Sequence, residues 1–110
     1  MTYKNGIEAL ILAAVRERHL HGYAIAKQIK EDSAGVLKFG EGQLYPALHK
    51  LEEGGLLTAE WEPQEGKPPR KLYTITEAGK GELQKHQNQW EKFASSVGRA
   101  LSGTPEVAHV

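Results

Sequence analysis

The side chains in this chain that could act on another molecule are cationic, aromatic and imidazole groups, and thiols are absent. Five histidines occur among 110 residues. His19 and His21 stand two apart and His49 stands three before Glu52, spacings that would suit a metal or an acid–base pair. No third ligand and no activated nucleophile accompanies either. Without cysteine there is no disulfide framework, and zinc would have only imidazole and carboxylate ligands. Neither a GxxxxGK[ST] phosphate loop nor a GxGxxG turn is present. Enzymatic chemistry, a cofactor and a metal are therefore not expected. The stronger signal is GKPPRK, Gly66 to Lys71, where Lys67, Arg70 and Lys71 flank Pro68 and Pro69 with no acid between them. A stiff cationic segment suits tracking a phosphate backbone or probing a minor groove. A solubilising turn would share the charge without needing the stiffness.

The charge is local, because 14 basic and 14 acidic residues leave the chain formally neutral. Hydrophobic residues at 39% and charged residues at 25% fit one compact domain with an appended element. A domain of this size gains from a partner subunit, since it buries only about two thirds of its unfolded surface. The longest apolar stretch, Ala9 to Val15, falls far short of the roughly 20 residues of a membrane span, and no leader precedes it. A cytoplasmic protein without membrane contact is the expectation.

The elements that must position the cations follow from periodicity. Ile7, Leu10, Ile11, Ala14 and Val15 mark one face of a first helix, which ends at the HLHG turn. Gly22 opens a second, with Ile25, Ala26 and Ile29 inward and Lys27, Gln28, Lys30 and Glu31 outward. A third begins near Gln43, carries Leu44, Leu48 and Leu51 on one face and stops at Gly54-Gly55, with Pro46 tolerated in its first turn. The period then becomes two. Leu57, Ala59 and Trp61 alternate with Thr58, Glu60 and Glu62, and after a loop from Pro63 to Pro69 a second strand runs from Lys71 to Ile75. Thr76 caps a last helix to about Leu101. The expected fold is mainly α, of the α+β kind: a winged helix-turn-helix, ααα-ββ, over residues 1–75, a dimerisation helix over 76–101 and a frayed tail over 102–110.

In this architecture the third helix would present Gln43, Pro46, Ala47, His49 and Lys50 away from the core, with Tyr45 near its N-terminal end. Amides read adenine, cations read guanine or phosphate, and small apolar groups meet thymine methyls, so Gln43, Lys50 and Ala47 belong to the useful classes. The same residues would also serve as a plain solvated face. In the last helix Leu83, Gln87, Trp90, Ala94, Val97 and Leu101 are spaced as a heptad seam with Phe93 beside it, which suits a dimer. Trp90, between the smaller or polar Gln87 and Ala94, is either a large interface anchor or the wall of a cleft for a flat aromatic effector.

Three phrases are similar to the motifs of PadR-type transcriptional regulators: Leu20-His21-Gly22-Tyr23-Ala24-Ile25, the segment from Glu41 to Glu52 continued by Gly55-Leu56, and Pro68-Pro69-Arg70-Lys71-Leu72-Tyr73 followed by Thr74-Ile75-Thr76-Glu77-Ala78-Gly79. Their order and spacing agree across nearly all of the chain from Ile7 to Leu101. The resemblance implies a winged-helix homodimer that represses promoters carrying inverted repeats. It implies Tyr45, Pro46, His49 and Lys50 on the reading helix, Arg70 and Lys71 on the wing, and Tyr23 and Lys27 on the supporting helix. A single helix after the wing resembles the short subgroup, some of whose members take aromatic drugs or phenolic compounds between the dimer's helices, and Trp90 falls where these use an aromatic platform. Two positions depart from the pattern: Gln43 replaces a common small hydroxyl residue, and Arg18-His19 replaces Gly-Pro before the HGY motif.

The expected partners are therefore duplex DNA, a second copy of the chain and an aromatic effector. The rival from another class is a dimeric module that sequesters small molecules. Such a module would keep the Trp90 seam but have no use for a cationic wing.

Overall fold

A computed structural model describes residues 6–103. Four helices and three strands follow in the order α1 (Gly6–Ala14), β1 (Leu20–His21), α2 (Gly22–Asp32), α3 (Glu41–Glu53), β2 (Leu57–Gln64), β3 (Lys67–Ile75) and α4 (Glu77–Ser102). The winged-helix arrangement is as expected, with one addition. Leu20 and His21 form a short strand that pairs antiparallel with β3, Leu20 opposite Tyr73 and His21 opposite Leu72, giving the sheet order β1-β3-β2. The HLHG turn thus carries two extended residues, and the extended backbone of His21 also makes it the N-cap of α2. Two residues are too short a run for alternation to reveal.

One apolar core joins all these elements. Ile11, Leu12, Ile25, Leu44, Leu48, Leu51 and Leu57 are fully buried, together with Val15 of the turn after α1. Leu12 lies off the expected stripe of α1, yet it is buried because α1 packs against α2, α3 and α4 at once. Among the described residues no helix is long and apolar enough to cross a membrane.

Three local expectations change. First, α3 starts at Glu41, with Gly40 as its N-cap, so Pro46 stands in the second turn. A proline there removes the amide donor to the carbonyl of residue 42, and Gly42 is an exposed residue. Second, the loop from Pro63 to Pro69 is mostly strand. Gln64 pairs with Lys67, so only Glu65 and Gly66 turn the chain, and Gly66 has a φ of 71°. The prolines fit because β1 reaches only as far as Leu72, so this end of the hairpin is a two-stranded ribbon with open edges. Pro63 sits at a register irregularity between Glu62 and Gln64. Third, Ala47, expected outward, is 8% exposed and belongs to the core; it sits between the rows of Leu44, Leu48 and Leu51, where its small side chain fits.

The start of α4 is as the sequence suggests. The Thr76 hydroxyl accepts a hydrogen bond from the amide of Gly79 at 3.0 Å and donates to the carbonyl of Gly55 at 2.7 Å. The helix continues through Ser102, and the rest of the expected tail, 104–110, lies outside the described residues.

Candidate nucleic-acid interface

The hairpin extends beyond the core it helps to close. On one face of the ribbon Leu57, Ala59 and Trp61 stand opposite Ile75, Tyr73 and Lys71. Leu57, Tyr73 and Ile75 are buried, whereas Trp61, further out, is 66% exposed. The Lys71 ammonium lies 5.4 Å from the centre of the Trp61 ring and donates a hydrogen bond to Glu52 of α3 at 3.0 Å. That hydrogen bond is the largest reason why the Lys71 pKa is raised above its ordinary value. The wing is therefore anchored to the third helix through one ion pair, and the same ammonium lies over the wing's own Trp61 ring.

Around this anchor the structure gathers Tyr23, Tyr45, His49, Arg70 and Lys71 along a cleft of about 590 Å³, with His21, Glu52 and Trp61 completing its walls. Tyr23 is 78% exposed and Tyr45 is 43% exposed. Glu62 holds two of the neighbouring groups, His21 at 3.2 Å and Arg70 at 3.3 Å. His49 pairs with Glu53, one turn along α3, and not with Glu52. His19 hydrogen-bonds the Thr74 hydroxyl at 2.7 Å. No group of three metal-binding side chains occurs among the described residues.

A second groove of about 500 Å³ meets the first at Tyr23 and Tyr45 and brings in Lys27. Lys30, Lys38 and Phe39 line it as well. Lys30 had a signal in the sequence, standing i+3 from Lys27 on the polar face of α2. Lys38 had none, since it lies in an irregular linker that only the fold brings beside α2.

The remaining expected contacts are placed differently. Gln43 and Pro46 are exposed on α3 but line neither cleft. Lys50 turns its ammonium to Glu8 of α1 at 3.3 Å. Lys67 stands beside the two-residue turn, opposite Gln64.

The α4 seam divides in two. Leu83, expected at a dimer interface, is only 4% exposed within a single chain and belongs to its core. The reason is that the first turns of α4 pack on α1 and β3. Further along, Trp90 is 50%, Val97 37% and Leu101 83% exposed, with the Phe93 ring 5.9 Å from that of Trp90. Gln87 and Trp90 line an apolar cleft of about 290 Å³ between α1 and α4, walled also by Leu10, Ala13 and Leu37; Ala94 does not reach it.

Comparison with known proteins agrees with this architecture. Residues 11–85 match the Transcriptional regulator PadR-like family. The chain is 37% identical over 73 residues to the negative transcriptional regulator PadR of Bacillus subtilis, covering 66% of this chain and 40% of that protein. It is 31% identical over 87 residues to a transcriptional regulator of Mycobacterium tuberculosis, covering 79% of this chain and 78% of the other. Among solved structures, a PadR family transcriptional regulator from Eggerthella lenta superimposes with a TM-score of 0.78 at 31% identity, over 92% of this chain and 86% of that one. Bacillus subtilis PadR in complex with operator DNA superimposes with a TM-score of 0.67 at 34% identity, over 73% of this chain and 45% of that one. The family match and the shared winged-helix fold lead to one conclusion: the chain belongs to the PadR-like family of transcriptional regulators.

Proposed function

We propose that this regulator is a homodimeric repressor that binds an inverted-repeat operator in duplex DNA and is released by a flat aromatic effector. The observation that carries the DNA-binding part is the continuity of the wing, the start of α2 and the exposed face of α3 around Tyr23 and Tyr45. A duplex needs such a face: a helix to enter the major groove, with flanking groups for the backbone on either side. The operator complex of the Bacillus subtilis relative supports the same use of the fold.

Exposed Trp90, Val97 and Leu101 on the outer part of α4 support self-association, because apolar groups of this size in one line lose contact with water when a second copy covers them. The cleft beside Trp90 supports an effector site, being apolar and large enough for a single-ring or two-ring aromatic compound. Release of DNA requires that the effector bind one dimer geometry better than the other.

The test is salt-dependent fluorescence anisotropy, together with footprinting, on the DNA just upstream of the protein's own gene. Tight binding with two protected half-sites about one helical turn apart is the expected result. Weak binding that vanishes by physiological salt would instead favour the small-molecule module.

A further inference from the structure

The cations around α3 fall into two groups that the sequence does not separate. Lys50, Arg70 and Lys71 each lie 3.0–3.3 Å from a carboxylate, on Glu8, Glu62 and Glu52 respectively. Lys27, Lys30 and Lys38 make no ion pair among the described residues. All three are exposed and line the same groove, where Glu41 is the only acid among the described residues. Of the cations most conspicuous in the sequence, Lys50, Arg70 and Lys71 are thus paired within the fold, whereas Lys67 beside the wing's turn and the three lysines on the other side of Tyr45 are in no ion pair among the described residues.

Three lysines against the single carboxylate of Glu41 leave this concave surface net positive, which favours an anion within it. The lysines come from two elements, α2 and the linker before α3, and they share the lining of the groove with Phe39, Tyr23 and Tyr45. Its cations are all lysines, point charges with no planar fork for a base edge, which suits a phosphodiester chain. We infer that this groove holds the sugar–phosphate backbone of the bound duplex, with Lys30 and Lys38 joining Lys27 as its phosphate contacts. The inference rests on the DNA-binding function proposed above. It adds a backbone track on the side of Tyr45 opposite the wing, so that the duplex is gripped on both sides of the reading helix.

The double substitution Lys30→Ala/Lys38→Ala tests it. Neither side chain is part of the core or of an ion pair, so the variant should fold as the unchanged chain does, checked by circular dichroism. Binding is measured by anisotropy between 50 and 200 mM salt, on the operator and on an unrelated duplex. The expected result is a loss of about tenfold on both duplexes, with the slope of log K against log[salt] less steep by roughly 2. Lys30→Arg/Lys38→Arg should retain the original slope. The inference is overturned if the slope does not change, or if the loss is confined to the operator. If the unchanged chain itself shows no preference for any duplex, the repressor function fails as well; if it shows one and only the lysine slope is unaffected, the groove alone is wrong.

Discussion

A Cβ at Gly22 would stand 2.9 Å from Cε1 of Tyr45 and 3.0 Å from its hydroxyl oxygen. The phenol ring therefore occupies the space that any side chain at position 22 would need. This contact joins the start of α2 to α3 at the point where the two grooves meet, and it gives the HGY motif a physical reason. Gly22→Ala should displace the ring, which is half-exposed and can swing into solvent, so the loss of stability should be near 1 kcal/mol. DNA affinity should fall about tenfold or more, because Tyr45 would leave the recognition face. In a Tyr45→Ala background the same substitution should cost no further affinity. Additive losses in that double-mutant cycle would show that the ring and the glycine act separately.

Gly79 and Gly81 lie two residues apart in α4 and should respond in opposite directions. A Cβ at Gly79 would come 2.2 Å from the Leu56 carbonyl oxygen and 2.7 Å from Ile75 Cγ1, whereas one at Gly81 would meet nothing within 4 Å. Backbone cannot yield as a flexible side chain can. Gly79→Ala should destabilise by about 3 kcal/mol, and Gly81→Ala should stabilise by roughly 0.5–1 kcal/mol through helix propensity alone. Urea denaturation of the two variants decides this, and equal effects would contradict the close approach of α4 to Leu56, just before β2, and to the end of β3.

The distinction between those glycines could not be drawn from the sequence, and the same holds for much of the binding face. Periodicity made Leu44, Leu48 and Leu51 core residues and Thr76 a cap, since those signals are local. It placed Ala47 outward because an alanine carries little hydrophobic signal, and it assigned Leu83 to a seam because a heptad looks the same whether its partner is another chain or α1. It identified Lys50, Arg70 and Lys71 but not the carboxylates that pair with them. Glu52 and Lys71 are 19 residues apart, and Glu8 and Lys50 are 42 apart, separations that only the tertiary fold closes.

The Lys71–Glu52 pair makes a prediction about the wing. In the free protein Glu52 competes with any phosphate for the ammonium, 3.0 Å away. Glu52→Gln should leave the fold nearly as stable, losing about 0.5–1 kcal/mol for a partly exposed pair. It should strengthen binding to unrelated duplexes several-fold and make the salt slope steeper by up to about 1, as one more cation becomes available to phosphate. Weaker binding would mean that Glu52 matters chiefly by holding the wing in place.

Stability should decline at alkaline pH, and the direction follows from two groups. The hydrogen bond to Glu52 raises the pKa of Lys71 above the usual 10.5 of lysine, and burial raises that of Tyr73 above the usual 10.0 of tyrosine. Each group keeps its proton in the folded chain at a pH where the unfolded chain has begun to lose it. Their contributions are therefore complete below pH 10 and are lost as pH rises through the folded values. Tyr73→Phe should leave stability at pH 8 within about 1.5 kcal/mol of the original and make the decline from pH 9.5 to 11 shallower. An unchanged decline in urea midpoints across that range would remove Tyr73 from the account.

The division of α4 separates folding from association. Leu83 is 4% exposed inside one chain, so Leu83→Ala should cost about 2–5 kcal/mol by leaving a cavity, whatever the oligomeric state. Leu101 is 83% exposed, and Val97→Lys/Leu101→Lys removes nothing from the single-chain core. If α4 closes a homodimer, that double variant should run as a monomer in light scattering, and its melting temperature should lose the dependence on protein concentration that a folded dimer shows. DNA binding should weaken with it, because two half-sites would no longer be held by one particle. Should the unchanged chain already be monomeric at micromolar concentration, the homodimer falls, and with it the expectation of an inverted-repeat operator.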